Sequence, residues 1–500
     1  MVRPVGSLAR CPRRRRQRRH SGSHSASARR TKELPLSAPP PESPYSVVPH
    51  GNPSTAIRLR RRAAFSSLLG TTIEYYDFIL YGTMAAVVFG PLFFPASNPA
   101  LSTIASFGTL AAGYVARPLG GVVFGHFGDR LGRKSMLLIT MIMMGISSAA
   151  IGLLPTYHAI GVAAPIVLVL LRVVQGVAVG GEWGGAALMV VEHADADNRG
   201  RWAGIMQLGT PFGFLLSTAA VAVVTQLPEP EFTTWGWRLP FLFSAALLVL
   251  GMYVRLRVVE SPVFAAADRQ EPSTPAMQVL RRPRPMVLGV AAGMAPFALT
   301  ALTSSHIIAY ATGIGYEVGD VMRCLLAVVF VSIIAIPLCA TLSDFFGRRR
   351  VMMAGAVGAI LYAFPLYALI NSHSLWTMTA ALMFAQLLQN AMYAPLTPLL
   401  SEMFPTHIRY TGVSIAYQTA ALIGAGFTPL IASTMLATFD GSSLPLSAIV
   451  AGTAALTLGA LVVTAETKGR DLSRDLHSPI GRDTRGREAV NETSSGEGTR

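Results

Sequence analysis

From Ala63 onward the chain is a succession of long apolar runs divided by short polar breaks. Twelve runs can be marked, at about 65–90, 101–128, 135–154, 162–190, 202–226, 239–256, 286–312, 321–342, 351–370, 375–399, 411–435 and 444–464. A bilayer core takes about 20 apolar residues per helix. Backbone inside it has no water to bond, so each run must close its own hydrogen bonds as a helix. The pattern predicts an all-α polytopic membrane protein with twelve transmembrane helices. Charged residues are only 13% of the 500, about half the share in soluble domains, which argues against a string of such domains. Several runs exceed 20 residues, which predicts tilt or interfacial ends.

The net charge of +15 is local. Residues 1–62 hold 15 Lys and Arg against Glu33 and Glu42, whereas the rest of the chain holds 26 Lys and Arg against 24 acids. The high basicity therefore belongs to a tail and predicts no nucleic-acid partner. That tail is rich in Arg, Ser and Pro and is expected to be a disordered basic arm on the cytoplasmic side. A translated stretch upstream of the true start and a transit peptide are the other two readings. No apolar segment of signal-peptide type follows the basic stretch. Three cysteines, Cys11, Cys324 and Cys339, are too few for a disulfide framework or a zinc site.

Orientation follows from Lys and Arg, which favour the cytoplasmic side. With the N-terminal side taken as inside, 37 of the 41 fall in inside segments. Two, Arg238 and Arg323, fall outside, and Arg117 and Arg172 lie within runs. Both termini are thus predicted to be cytoplasmic, in a multi-pass protein of the cell membrane. Arg255, at the end of the sixth run, is counted among the inside charges.

The chain also repeats itself. GHFGDRLGRK (125–134) follows the second run and ATLSDFFGRRR (340–350) the eighth, with Asp129 and Asp344 in matching places. Glu192 and Arg199 after the fourth run match Glu402 and Arg409 after the tenth. Glu260-Ser261-Pro262 and Glu466-Thr467-Lys468-Gly469 close the sixth and twelfth runs. These pairs predict two six-helix halves: 63–256 and 286–466, a cytoplasmic linker over 257–285, and a disordered C-terminal tail over 467–500. Parallel halves around a midplane site are common among secondary transporters.

The loop 125–134 resembles the signature between the second and third helices of the major facilitator superfamily, and Arg172-Val173-Val174-Gln175-Gly176 resembles its fourth-helix motif. IEYYDF (73–78), ARPLGGVVFGHFGDRLGRK (116–134), GVAVGGEWGG (176–185) and WGWRLPFLFS (235–244) together resemble the metabolite:H⁺ symporter family. The likeness runs over about 60–470. It implies the major facilitator fold and import of a small organic acid or zwitterion together with a proton, by alternating access and with no cofactor or metal. It also implies that Gly125, Asp129, Arg130, Gly132 and Arg133 latch the halves, with Asp344, Gly347 and Arg348 as their repeat. Glu192, Arg199, Glu402 and Arg409 belong to the same gating set. Phe345 stands where Arg130 would repeat and Ala340 where Gly125 would, so the second loop reads as a degraded copy and gating weighs on Asp129 above Asp344.

An ionisable side chain inside a span costs about 2.5–3.5 kcal/mol on insertion scales and needs a partner or a function. Five stand out: Glu74 and Asp77 in the first run, Arg117 in the second, and Arg172 and Glu182 in the fourth, with Gln175 between the last two. Glu74 and Asp77 are three apart and share a helix face. Three acids and two bases leave one carboxylate over, which a proton-coupled carrier needs. Permanent pairing with Arg117 or Arg172 is the structural alternative. Arg117 is twelve residues before Asp129, or ~18 Å along a helix, which places it near the midplane as a candidate for a bidentate contact with a substrate carboxylate. In the second half, His306, Gln386, Gln389, Asn390 and Tyr393 are candidate substrate contacts, with helix–helix bonding as the alternative. Asp129 is expected to meet the N-terminus of the helix starting near Thr411, where the macrodipole favours an anion.

Nucleotide-binding loops, paired His/Cys ligands and a Ser/His/Asp set outside the runs are all missing, so an enzyme is not expected. An osmolyte (proline or betaine) symporter and an exporter are the alternatives to organic-acid import. The C-terminal tail, interrupted by Pro479 and several glycines, has no heptad pattern for the coiled coil of osmosensing relatives.

Overall fold

Each long apolar run takes up helix, because straight-chain and small apolar residues fill it and Pro or Gly closes it. The computed structural model describes residues 53–95, 99–266 and 275–472. All of them belong to one compact unit, Val47–Arg500. In chain order the main helices are α1 (Pro53–Met84), α2 (Pro99–Leu131), α3 (Arg133–Leu153), α4 (Ala163–His193), α5 (Arg199–Val224) and α6 (Arg238–Leu256). There follow α7 (Pro283–Gly313), α8 (Val318–Phe346), α9 (Arg348–Ile370), α10 (Leu375–Tyr393), α11 (Thr406–Thr438) and α12 (Leu444–Val463).

Among the described residues ten helices are long and apolar enough to cross a membrane. The chain is therefore an all-α, multi-pass membrane protein. Twelve such helices were expected from the sequence; α2 and α10 are helical but fall outside the ten. Arg117 and six glycines lower the hydropathy of α2, and Gln386, Gln389 and Asn390 lower that of α10.

One boundary differs from expectation, and the linker and C-terminal tail are described in part. Residues 53–62, assigned to the basic tail, are the first three turns of α1, and Arg60 forms an ion pair with Asp195 and donates to the His193 carbonyl. The rest of that tail, 1–52, lies outside the described residues. The linker contains short helices at Pro262–Ala266 and Pro275–Leu280, with 267–274 outside the described residues. Of the C-terminal tail, 467–472 are described and 473–500 are not.

One apolar cluster lies wholly in α1–α6 and its connections, including Tyr76, Phe89, Met141, Trp237 and Phe241. A second lies in α7–α12, including Leu302, Tyr310, Val328, Leu366 and Leu446. A third draws on both groups of helices, with Trp183 and Leu188 beside Tyr393, Leu396, Tyr410 and Tyr417. Both repeated loops turn at a glycine in the left-handed region, Gly132 at φ 108° and Gly347 at φ 100°, where a side chain would be strained. Each is followed by a helix start whose free N–H groups need acceptors. Glu260 accepts from Arg133 N (3.2 Å) and Lys134 N (3.1 Å), and Glu466 from Arg348 N (3.0 Å) and Arg349 N (3.2 Å). The end of the bundle carrying these two turns is called the basic end below.

Candidate functional site

Two carboxylates at the basic end tie the N-terminal helices to the C-terminal ones. Asp129, at the end of α2, accepts from Tyr410 N (3.1 Å), Thr411 N (2.9 Å) and Thr411 Oγ1 (2.8 Å), in the first turns of α11. Asp344, at the end of α8, accepts from Gly200 N (2.9 Å) and Arg201 N (2.7 Å), in the first turn of α5. Each anion sits where unsatisfied N–H groups and the helix dipole favour it. The expected degradation of the second loop is not found in this geometry. Gly125 faces the Thr411 backbone, where a Cβ would clash; across the pseudo-repeat, Ala340 faces Gly200 and Gly204 instead. The missing side chain has moved to the partner helix. Arg130, whose place Phe345 takes, is exposed and 3.4 Å from His126 Nε2, so its absence from the second loop removes no latch contact.

Behind each latch lies a buried charge cluster. Glu192 lies 3.4 Å from Arg133 and 3.0 Å from Arg409, and accepts from Ser261 Oγ. Glu402 lies 3.6 Å from Arg348 and 3.5 Å from Arg199, and accepts from Thr467 Oγ1 (2.6 Å). Arg133 also lies 3.7 Å from Asp129, and Arg348 2.5 Å from Asp344. In both clusters one arginine comes from the same group of helices as the glutamate and the other crosses over. All twelve residues of the expected gating set are thus at the basic end, ten of them in these two clusters or on their glycine turns.

Above the latches the wall is aromatic. The Trp183 ring stacks on Tyr417 at 3.3 Å and 13°, and Phe297 meets Tyr417 edge-on at 4.9 Å. The Tyr417 and Tyr393 hydroxyls are 3.1 Å apart, and Tyr393 and Tyr75 hydroxyls 3.5 Å. Tyr410 Oη donates to Gly181 O (2.9 Å) and Gln418 Nε2 to Val179 O (3.2 Å). Small residues permit this approach: a Cβ on Gly184 or Gly185 would meet Ser414 or Tyr410.

The membrane-buried charges are distributed differently from the expected pairing. Asp77 accepts from Ser148 Oγ (2.8 Å) of α3 and Ser244 Oγ (2.5 Å) of α6. Glu182 pairs with Arg255 at 2.6 Å, and Arg255 also donates to Leu137 O (2.7 Å). Arg255 was counted as a loop charge, yet it is 3% exposed in the last turn of α6. A Cβ at Gly70 would collide with Arg255 Nη2 and come within 2.9 Å of Glu182 Oε1, so glycine there makes room for the pair. Glu74, 5% exposed, has an Oε2 without a hydrogen-bond partner and lies within electrostatic reach of Glu182, Arg117 and Arg255.

Neither Arg117 nor Arg172 has a carboxylate within salt-bridge distance among the described residues. Arg117 instead lies over the rings of Tyr114 (4.4 Å) and Phe78 (4.6 Å), and Arg172 over Tyr81 (4.1 Å) and Phe78 (5.4 Å). Arg172 donates to Gln175 Oε1 (3.2 Å), and Gly113 makes room for its side chain. Phe78 therefore collects Arg117 and Arg172 beside the helix that carries Glu74. Of the second-half candidates, Gln386 and Asn390 donate to Ser332 Oγ of α8 (2.9 and 3.2 Å), and Gln389 donates to Pro296 O of α7 (3.5 Å). Those are helix–helix bonds. His306 is buried in the π-helical turn Leu302–His306 with Nδ1 unbonded. Of Gln389, Asn390 and Tyr393, it is Tyr393 whose hydroxyl meets an N-terminal helix. Arg255 and Tyr417 were missed in the sequence reading.

Sequence models place these residues among known transporters. The model described as "Sugar (and other) transporter" matches 63–287, and that of the Major Facilitator Superfamily matches 318–487. The inner membrane metabolite transport protein YhjE of Escherichia coli K12 is 37% identical over 85% of this chain and 99% of its own length. The chain belongs to the major facilitator superfamily, among its metabolite transporters. The shikimate transporter of the same strain is 41% identical, over 76% of this chain and 89% of its own. Its proline/betaine transporter is 31% identical, over 77% and 79%. The proton:xylose symporter XylE bound to 6-bromo-6-deoxy-D-glucose shares the fold, with a TM-score of 0.71 over 84% of this chain and 98% of its own at 17% identity. The protein is thus a secondary transporter of small metabolites and not an enzyme.

Proposed function

We propose that the protein imports a small organic acid together with a proton, by alternating access between two six-helix halves with twelve spans and both termini in the cytoplasm. The observation that carries this reading is the site around Phe78. Arg117 and Arg172 lie on aromatic faces with no carboxylate within salt-bridge distance among the described residues, near the buried Glu74, whose Oε2 has no hydrogen-bond partner. A carboxylate substrate supplies the missing anion for Arg117, bidentately where geometry allows. Glu74 takes up the proton, at the Oε2 that has no hydrogen-bond partner. Asp77, held by two serine hydroxyls, and Glu182, held by Arg255, act as structural groups.

Asp129 and Asp344 are the gates. With both latched, the basic end is shut, and on this reading the central site opens to the outer side of the membrane. Breaking the five charge-assisted hydrogen bonds to Asp129 and Asp344 and separating Glu192 from Arg409 and Glu402 from Arg199 opens it inward. The sequence likeness to a shikimate transporter supports a hydroxylated organic acid as substrate.

The osmolyte alternative draws support from the likeness to a proline/betaine transporter. A quaternary ammonium needs a free aromatic face, and here Phe78, Tyr81 and Tyr114 already hold arginines. That favours the acid. Competition for uptake in cells lacking their own carriers tests the choice. Shikimate-like acids and dicarboxylates should compete with one another and glycine betaine should not; inhibition by betaine and proline alone would reverse the assignment.

A further inference from the structure

We propose that the segment Glu466–Leu472 is a strap across the basic end, and that Leu472 is the positioning residue that holds it there and so holds the gate arginines Arg199 and Arg409 in the closed state. The proposal rests on the alternating-access reading above.

The strap begins after α12, in the C-terminal helices, with Glu466 capping α9 and Thr467 bonded to Glu402. Its backbone then bonds to both groups of helices, Arg470 O to the N-terminal ones and Leu472 O to the C-terminal ones. Arg470 O accepts from Arg199 Nη1 at 2.6 Å. Leu472 O accepts from Thr406 Oγ1 at 2.9 Å and from Arg409 Nη2 at 3.4 Å. The Leu472 side chain, 2% exposed, packs with Val191 of α4 and Ala203 of α5. One aliphatic side chain thus plugs into the N-terminal helices a segment that starts in the C-terminal ones.

Chemistry explains why the strap matters to the gate. A buried guanidinium carries five donors, more than a single carboxylate satisfies. Arg199 has Glu402 at 3.5 Å, and the strap carbonyl supplies its shorter contact. Arg409 has Glu192 and Phe404 O, each at 3.0 Å, and the strap adds a third acceptor. Over its described residues 260–266 the corresponding segment after α6 stays with the N-terminal helices; further along the linker Val279 packs on Ile408 and Ile415 of α11. Ser261 bonds Glu192 as Thr467 bonds Glu402, but Phe264 then folds back beneath Arg133, at 4.4 Å from the guanidinium. The strap therefore adds a crossing that 260–266 lacks, and inward opening must pull Leu472 out of its pocket.

Cys339 is a built-in reporter. It is buried with Ile336, Ala340 and Ala394, against Leu208 of α5, on the seam that opens. The test uses the full chain with Cys11→Ser and Cys324→Ser, in inverted membrane vesicles that expose the basic end to an impermeant maleimide. Leu472→Ala should speed labelling of Cys339 about tenfold, a shift of about 1.4 kcal/mol. Leu472→Met, which refills the pocket, should label at the wild-type rate. Labelling of Leu472→Ala at the wild-type rate, or of Leu472→Met as fast as Leu472→Ala, would overturn the proposal. Asp129→Asn is run alongside. If it exposes Cys339 and Leu472→Ala does not, the strap alone is refuted; if neither does, the alternating-access reading falls with it.

Discussion

Inside the bundle the Arg117 guanidinium rests on two aromatic rings, Phe78 and Tyr114, with no carboxylate within salt-bridge distance among the described residues. A cation over a desolvated ring gains about 2 kcal/mol, less than a buried ion pair, so the guanidinium is held but not consumed. Arg117→Lys keeps the charge and loses the planar fork. Substrate affinity should fall about tenfold to a hundredfold, measured by binding or by counterflow KM; unchanged affinity would remove the bidentate contact. Gly70 serves the fixed pair instead. Gly70→Ala drives a methyl into the Glu182–Arg255 contact, and overpacking of this kind costs about 1–3 kcal/mol. The purified variant should melt several degrees lower, and an unshifted melting temperature would mean the pair moves aside freely. The five charges within runs were legible because any charge in an apolar stretch is conspicuous. Arg255 was not, because it stands next to Arg257 at a helix end and reads as a loop residue. Its burial depends on Glu182, which is 73 positions away and on another helix.

At the scale of elements, the latch is a loop from one group of helices set against a helix start in the other. The repeat of the two loops was visible in the sequence, as were the capping role of an aspartate and the expected partner near Thr411. The equivalence of the two latches was not visible. Comparing loop with loop shows Ala340 in place of Gly125 and suggests decay; comparing loop with partner shows that Gly200 and Gly204 compensate. Asp129→Asn and Asp344→Asn should therefore slow transport to a similar degree. A capping anion contributes about 0.3–1 kcal/mol when exposed and up to ~2 when partly buried, or a few-fold to about thirtyfold in the balance of states. Substrate affinity should stay within the same factor, since both residues stand apart from the Phe78 site. A large loss for Asp129→Asn beside a silent Asp344→Asn would restore the view of a degraded second loop. The π-helical turns Ala85–Phe89, Leu302–His306 and Leu422–Gly426 left no trace in the sequence. They are single extra residues in long helices, and no capping or periodicity signal marks them.

For the whole molecule, the proposed mechanism divides the work between gating, at the closed end, and coupling, at a charged site deeper in the bundle. Fold class was legible because apolar length and the charge bias of the loops are properties of the chain alone. The assembly of Tyr75, Tyr393, Tyr417, Trp183 and Phe297 into one aromatic wall was only partly so, since five ordinary core residues from five helices become a wall by packing. On the proposed mechanism Glu74 is the proton site, and Glu74→Gln should abolish accumulation while leaving substrate exchange across the membrane intact. The most direct test is accumulation of a labelled organic acid such as shikimate by proteoliposomes under an imposed inward proton gradient, with and without a protonophore. The account predicts accumulation above equilibrium that the protonophore abolishes and that Glu74→Gln never shows. Accumulation that persists in the protonophore, or that survives in Glu74→Gln, would contradict it.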